Sequence, residues 1–503
     1  MTQQYYITTP IYYVNDKPHL GHAYTSVACD VLARFMRLDG RKVKFLTGTD
    51  EHGQKVEKSA AAAGIPPQAF VDEVSEHFRE MAHTLKLSND DFIRTTEDRH
   101  KKTAQEFWKK LEAAGDIYLG GYEGWYSVRD EAFYQESELV DGKAPTGAEV
   151  EWVKEPSYFF KLSKYQEPLL KFYEENPDFI LPESRRNEVL SFVRGGLKDL
   201  SISRTTFSWG IPVPGDEKHI MYVWLDALTN YVTAAGDMWP ADLHMVGKDI
   251  LRFHTVYWPA FLMSAKMELP KRVFAHGWWT IEGEKMSKSL GNVVSPSHLV
   301  EKYGLDQTRY FLLREVPFGS DGNFSRQAMA ERINSDLANN IGNLAQRTLS
   351  MIAKHCDSKV PTPMARPQDL ELLEKVQVTK PTSLNDAREQ MLRCKFHEVL
   401  QAVLAMSSAA NEFIDREAPW TQKKENPKEM EATLYTLAEV IRCIGIMLQP
   451  FVPDSASKLL DQLSVPADKR SFEDLKPEGA LRAGAELPKP EGVFPRILLE
   501  TAA

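Results

Sequence analysis

A chain of 503 residues is longer than one hydrophobic core usually serves, so about two to four domains are expected. Its 43% hydrophobic and 26% charged residues are those of a soluble globular protein, and no apolar stretch is long enough to span a bilayer. A net charge of −10 argues against wholesale coating of nucleic acid; an RNA partner would have to be met by a local basic stripe and by base stacking. The opening residues Met1 to Gln4 include no basic segment, and Pro10 and Asn15 interrupt the apolar run that follows, so no secretory signal is expected. Cys29, Cys356, Cys394 and Cys443 are scattered without a Cys-x-x-Cys pair, which fits reduced packing residues in a cytosolic chain rather than disulfides or a metal knuckle.

The first predicted element is a buried strand in the opening half of the aromatic run Tyr5 to Val14. After it, Ala23, Val27, Ala28, Val31, Leu32, Phe35 and Met36 recur at helical spacing until Gly40, and Val43 to Thr47 has the pattern of a second strand. This is a β–α–β unit, whose usual outcome is a parallel pair with a crossover helix. Pro18-His19-Leu20-Gly21-His22 falls where that helix begins, and there free backbone N–H groups and the helix dipole favour a phosphate. Gly21 would let a flat base or ribose approach the backbone. On these residues alone, a pair of capping histidines is a better explanation than a nucleotide site.

Gly48-Thr49-Asp50-Glu51-His52-Gly53 ends the second strand, where doubly wound sheets place ligands, and Asp50 there is either an acceptor for an ammonium group or a helix cap. Helical periodicity is predicted through residues 67–114, with Phe70, Val74, Phe78, Met81 and Leu85 on one stripe. A mixed region rich in aromatics and turns runs from about Gly115 to Arg204. In Tyr222 to Tyr231, a helix would put Trp224, Ala227 and Tyr231 on one face, which is either plain helix core or a wall suited to a thioether. Val246-Gly247-Lys248-Asp249-Ile250 again ends a strand with glycine and a polar pair, and Val273 and Ala275 mark another strand leading to His276. Lys285-Met286-Ser287-Lys288-Ser289, between Gly283 and Gly291, reads as a hydroxyl-rich loop carrying two cations, of use in phosphoryl chemistry if it meets a polyphosphate and an ordinary basic turn if it does not. From about Asp336 the strand signals stop, and long amphipathic helices separated by the connector Val360 to Pro363 predict an α-helical bundle. Asn343 and Arg347 share a helix face, and Pro419-Trp420 follows a helix containing Asn411, Phe413 and Asp415.

The His19–His22 and Lys285–Ser289 motifs, in this order and far apart, resemble the two signatures of class I aminoacyl-tRNA synthetases; their flanks resemble the methionyl-tRNA synthetase family over nearly the whole chain. The resemblance implies an α/β fold: a Rossmann-like, doubly wound, parallel-sheet catalytic domain (1–114 and 205–335), a mixed α/β insertion (115–204) and an α-helical anticodon-binding domain (336–503). It implies that both signatures lie at carboxyl ends of adjacent parallel strands. By the same resemblance, His19, His22, Lys285 and Lys288 are catalytic, and ATP is held by His19, Gly21, His22, Gly247, Asp249, Lys285, Met286, Ser287 and Lys288. Methionine is held by Ile11, Tyr13, Asp50, Trp224, Ala227, Tyr231, Ile250 and His254, and the anticodon by Asn343, Arg347, Pro419 and Trp420. Pro10 and Leu228 stand where some relatives carry Ala and Pro, which bears on pocket shape.

The implied reaction is ATP-dependent formation of methionyl-adenylate with Mg²⁺, then transfer to a terminal ribose 2′-hydroxyl of tRNA(Met), the initiator included. Many members of that family carry zinc-ligating cysteines in the stretch equivalent to Tyr122–Glu131, whereas this chain has no cysteine between Cys29 and Cys356. A metal-free insertion is therefore expected, its hairpins held by Trp125, Tyr126, Phe133 and Tyr134. The tail Gly492–Ile497 resembles the family ending that folds back on the catalytic core, and with no appended module after it a cytoplasmic monomer is expected. Two alternatives remain at this point: another class I synthetase (for leucine, valine, isoleucine or cysteine), and a non-catalytic tRNA-binding paralogue.

Overall fold

The computed structural model describes residues 3–130, 132–285, 294–376 and 381–498. It divides into two compact units, one of Gln4–Cys29 with Val43–His276 and the other of Met1–Gln3, Asp30–Lys42 and Gly277–Ala503.

The first unit is built on a seven-stranded sheet. Its elements are β1 (Gln4–Thr8), β2 (Tyr12–Tyr13), helix α1 (Leu20–Leu38), β3 (Lys42–Asp50), β4 (Asp91–Arg94), β5 (Ile180–Leu181), β6 (Leu243–Gly247) and β7 (Val273–His276). The order is β4-β3-β1-β6-β7-β5, with β2 pairing the end of β3 beyond the point where β1 leaves it. The pairs β1–β6, β6–β7, β7–β5, β2–β3 and β3–β4 all run parallel. Four of the five residues of β1 and the last six of β3 are buried, the near-continuous burial of a parallel sheet rather than the alternation of a half-exposed one. The winding reverses direction between β1 and β6, and at such a switch point the carboxyl ends of two neighbouring strands open a crevice.

Two expectations need correction. Residues 67–114 are not helical throughout: helices Pro67–Thr84 and Asp98–Ala113 flank β4, which is too short, with only Phe92 and Ile93 apolar, to interrupt a helical pattern visibly. Nor do the strands leading to the two signatures lie side by side, because β6 stands between β1 and β7.

Within the insertion, an antiparallel sheet is formed by Ala132–Tyr134, Ile117–Ser127, Glu151–Phe160 and Leu200–Ser201 in that spatial order. Trp125 is in register with Tyr134 on one side and Trp152 on the other, its ring meeting Trp152 edge-on at 5.2 Å. Tyr126 is buried and Tyr134 donates to the Asp130 carboxylate at 3.1 Å. Among the described residues, no group of three or more His, Cys, Asp and Glu side chains is placed to hold a metal ion. No described helix is long and apolar enough to cross a membrane.

The second unit is mainly helical, with long helices at Phe396–Glu417 and Pro427–Leu448. Buried Arg309 ties it together, donating to Asp30 at 2.6 Å and to the backbone carbonyls of Pro450 and Phe451. The tail docks through Asn334, whose side-chain amide exchanges two hydrogen bonds (2.8 and 2.9 Å) with the Ile497 backbone.

Candidate functional site

At the switch point, His19 and His22 form one structure. Their rings stack with centroids 3.9 Å apart at the first turn of α1. The backbone N–H of His19 donates to His22 Nδ1 at 3.1 Å, and that of Gly21 donates to His19 Nδ1 at the same distance. An imidazole that accepts at Nδ1 carries its hydrogen on Nε2 when neutral, so both rings are set as Nε2–H donors. Burial, then the neighbouring His19, push the pKa of His22 well below its ordinary value, which keeps that ring neutral. Capping and ligand binding are therefore not rival roles here: the cap fixes the tautomer. Tyr12 and Phe78 hold the other edges of His22, their ring centroids 4.8 and 5.2 Å away. Gly21 has a tighter reason than ligand approach, because a Cβ would lie 3.0 and 3.1 Å from Cε1 and Nδ1 of His19.

Across the crevice, at the end of β6, a Cβ on Gly247 would lie 2.5 Å from an Asp249 carboxylate oxygen, so a larger residue there would displace that carboxylate. His276, in register with Gly247 at the end of β7, shares a 2.6 Å hydrogen bond with Thr25 of α1.

The Tyr222–Tyr231 stretch folds as two short helical turns, Val223–Leu228 and Asn230–Ala235. Ala227 and Tyr231 are buried, while Ile11, Tyr13, Trp224 and Ile250 pack half-buried against the same core. Trp224 lies flat on Phe253 with ring centroids 3.7 Å apart. Tyr231 and His254 share a 2.6 Å hydrogen bond, and His254 Nδ1 is 3.0 Å from the Ile250 carbonyl. A carbonyl only accepts, so His254 donates from Nδ1 and accepts a hydrogen bond from the Tyr231 hydroxyl at Nε2. Burial holds its pKa down to about 4 against the upward pull of that carbonyl, so it is neutral at physiological pH. His254 sits on a π-helical segment, Phe253–Tyr257, a distortion frequent at functional sites. Asp50 is buried at the end of β3, in register with Tyr13 of β2.

In the second unit, Lys285 ends the short strand Glu284–Lys285, antiparallel to Trp279–Ile281; Met286, Ser287, Lys288 and Ser289 lie outside the described residues. Arg347, one turn after Asn343 on helix Asn343–His355, pairs with Asp415 at 2.5 Å, and its guanidinium lies 5.3 Å from the Trp420 ring centroid. Trp420 is 42% exposed, hence available for stacking rather than spent on the core, and Pro419 begins its helix after left-handed Ala418.

Residues 5–151 and 137–349 match the family model described as tRNA synthetases class I (M), and residues 364–503 match the anticodon binding domain of methionyl tRNA ligase. The chain is 58% identical to the methionine–tRNA ligase of Rickettsia felis, over 99% of both chains. It belongs to the methionyl-tRNA synthetase family. The methionine–tRNA ligase of Brucella suis is 57% identical over 99% of this chain and 98% of its own. A solved Mycobacterium tuberculosis methionyl-tRNA synthetase in complex with methionyl-adenylate is 51% identical, with a TM-score of 0.95 over 98% of this chain and all of that one.

Four residues, Asp226, His52, His100 and Phe253, escaped the sequence reading. Asp226 is buried between His52 and His100, with 2.7 Å hydrogen bonds to Nδ1 of the first and Nε2 of the second. A lone carboxylate among the apolar residues Val223 to Leu228 was the available signal. Phe253, the partner of Trp224, gave none, since one phenylalanine beside a histidine is unremarkable in sequence.

Proposed function

We propose that ATP binds over His19, Gly21, His22, Gly247 and Asp249, and that methionine lies between Asp50 and the Trp224–Ala227–Tyr231 face, with Ile11, Tyr13, Ile250 and His254 completing its pocket. The enzyme is a class I methionine–tRNA ligase, which first makes methionyl-adenylate with release of pyrophosphate and then transfers the methionyl group to the 3′-terminal adenosine of tRNA. In our reading the buried Asp50 carboxylate receives the ammonium group, and the aromatic wall takes the thioether through sulfur–ring contact. That leaves the carboxylate of methionine to attack the α-phosphate. His19 and His22 donate from Nε2 as charge moves onto the phosphoryl oxygens, Lys285 and Lys288 neutralise the leaving pyrophosphate, and Met286 and Ser287 between them help hold ATP. No covalent enzyme intermediate is needed; positioning and charge stabilisation carry the reaction.

Mg²⁺, when bound, would supply further neutralisation of the phosphates. The insertion, without cysteine, does not fit zinc. Asn343, Arg347, Pro419 and Trp420 read the anticodon of tRNA(Met), the initiator included, by amide and guanidinium contacts and stacking on the exposed indole. We place the catalytic domain at 1–114 and 205–335, the insertion at 115–204 and the anticodon domain at 336–503, in a monomer that works in the cytoplasm.

The observation that carries this reading is the stacked pair of Nδ1-capped histidines at the switch point of the sheet. Its test is methionine-dependent ATP–pyrophosphate exchange: His22→Ala or Lys288→Ala should lower the rate by about 10²–10³, the scale of losing one preorganised donor, with little change in tRNA binding. Near-normal exchange in both variants would refute it.

A further inference from the structure

The loop Asp50–Gly53 is fixed at every peptide. The Asp50 carbonyl accepts from Val14 N at 3.1 Å, and Glu51 N donates to Thr95 Oγ1 at 2.9 Å. The Glu51 carbonyl accepts from Trp209 Nε1 at 2.7 Å, the His52 carbonyl from the Tyr13 hydroxyl at 3.0 Å, and Gly53 N donates to the Trp209 carbonyl. The Glu51 side chain, with no exposed surface, is held by Thr49 and Arg94, each at 2.7 Å, and by Thr96. These bonds anchor the loop to β2, β4 and Trp209. None of them reaches the Trp224–Tyr231 wall.

One side chain does. Asp226, two residues after Trp224 and next to Ala227, takes His52 of the loop on Oδ2 and His100 of helix Asp98–Ala113 on Oδ1, both at 2.7 Å. All three groups are buried, so these bonds are not exchanged with water. We infer that Asp226, with His52 and His100, is a positioning clamp that sets the separation between the Asp50 carboxylate and the thioether wall, and so the length of amino acid the pocket accepts. This rests on the methionine site proposed above. An ammonium acceptor and an apolar wall measure a side chain only if the gap between them is held, and a shift of tenths of an ångström blurs the difference of a methylene. Discrimination of one methylene is small even in a well-held pocket, of the order of 10- to 200-fold, so it is sensitive to such loosening.

The test uses the full chain in amino-acid-dependent ATP–pyrophosphate exchange, with methionine, ethionine and norleucine as substrates. Asp226→Asn keeps the shape but cannot accept from both histidines at once; it should raise the methionine KM about tenfold or more and narrow the preference over ethionine, one methylene longer, while norleucine, which has the length of methionine, loses in parallel with it, and the ATP KM stays within about twofold of normal. His52→Ala should do the same. His52→Asn, whose amide N–H stands where Nδ1–H stood, should restore most of the loss, which a role limited to filling space would not predict. If Asp226→Asn does not fold, the His52 pair decides alone. Unchanged methionine KM and analogue preference in Asp226→Asn, or equal behaviour of His52→Ala and His52→Asn, would overturn the clamp. Asp50→Asn serves as the control: no effect on methionine KM there would mean that the methionine site itself is misplaced, whereas a large effect there with a silent Asp226→Asn would remove the clamp alone.

Discussion

Gly21→Ala separates folding from catalysis. Position 21 is helical and needs no unusual backbone angle, so alanine is tolerated there and gains up to about 1 kcal/mol in helix propensity. The new methyl group meets the His19 imidazole at 3.0 and 3.1 Å, closer than carbon and nitrogen settle, so the ring must withdraw by a few tenths of an ångström. Withdrawal strains the rotamer by about 0.5–1.5 kcal/mol and weakens the bond from the residue 21 N–H, itself worth about 0.5–1.5 kcal/mol. These terms roughly offset the propensity gain, so the melting temperature should stay close to that of the unmodified enzyme. The Nε2–H donor, however, moves with the ring and loses its stack on His22. Misplacement of about 1 Å can cost about 10²-fold, and a few tenths with a loosened tautomer should cost roughly 10- to 100-fold in exchange rate. Exchange kinetics and a thermal melt on the same preparation check both halves. Full activity, or inactivity accompanied by a large drop in melting temperature, would refute the reasoning.

Trp420→Ala should weaken tRNA binding by about 1–3 kcal/mol, the worth of one stacked base, while leaving methionine-dependent exchange intact; the reverse pattern would show the roles to be misassigned. Stability should fall in acid. His254, held near 4 by burial, binds a proton more readily once unfolded, so its contribution is full above its ordinary value near 6.5 and is lost progressively between 6.5 and 4. Burial alone would raise Asp226, but His52 and His100 outweigh it and hold its pKa at about 2, so its contribution, of order 2 kcal/mol, is full above the ordinary carboxylate range and disappears as pH falls toward 2. Melting temperatures across pH 4–8 that stay level or rise toward acid would contradict the first, and melting temperatures that stay level from pH 4 down to 2 would contradict the second. Elemental analysis of purified protein should find no stoichiometric zinc, and one zinc per chain would overturn the metal-free insertion.

The parts legible in sequence were those with a strong period or an unusual local composition. Buried β1, the apolar stripe of α1 and the aromatic run around Trp224 all declare themselves within a few residues. What sequence could not show is pairing across distance. Nothing near His19 says that its Nδ1 receives the Gly21 N–H, nor does residue 226 advertise histidines 174 and 126 positions earlier. Gly21 shows the limit well: its smallness was legible, but the contact with the His19 ring that requires it was not. Strand β4 was missed because four residues with two apolar side chains carry no period, and its place in the sheet comes from partners on β3.

The most direct measurement is a crystal structure of this enzyme with a non-hydrolysable methionyl-adenylate analogue. The account predicts the ammonium group within hydrogen-bonding distance of the Asp50 carboxylate, the thioether against Trp224 and Ala227, and the phosphoryl mimic within reach of Nε2 on His19 and His22. An analogue seated away from the carboxyl ends of β1 and β6, or with its sulfur remote from Trp224, would contradict it.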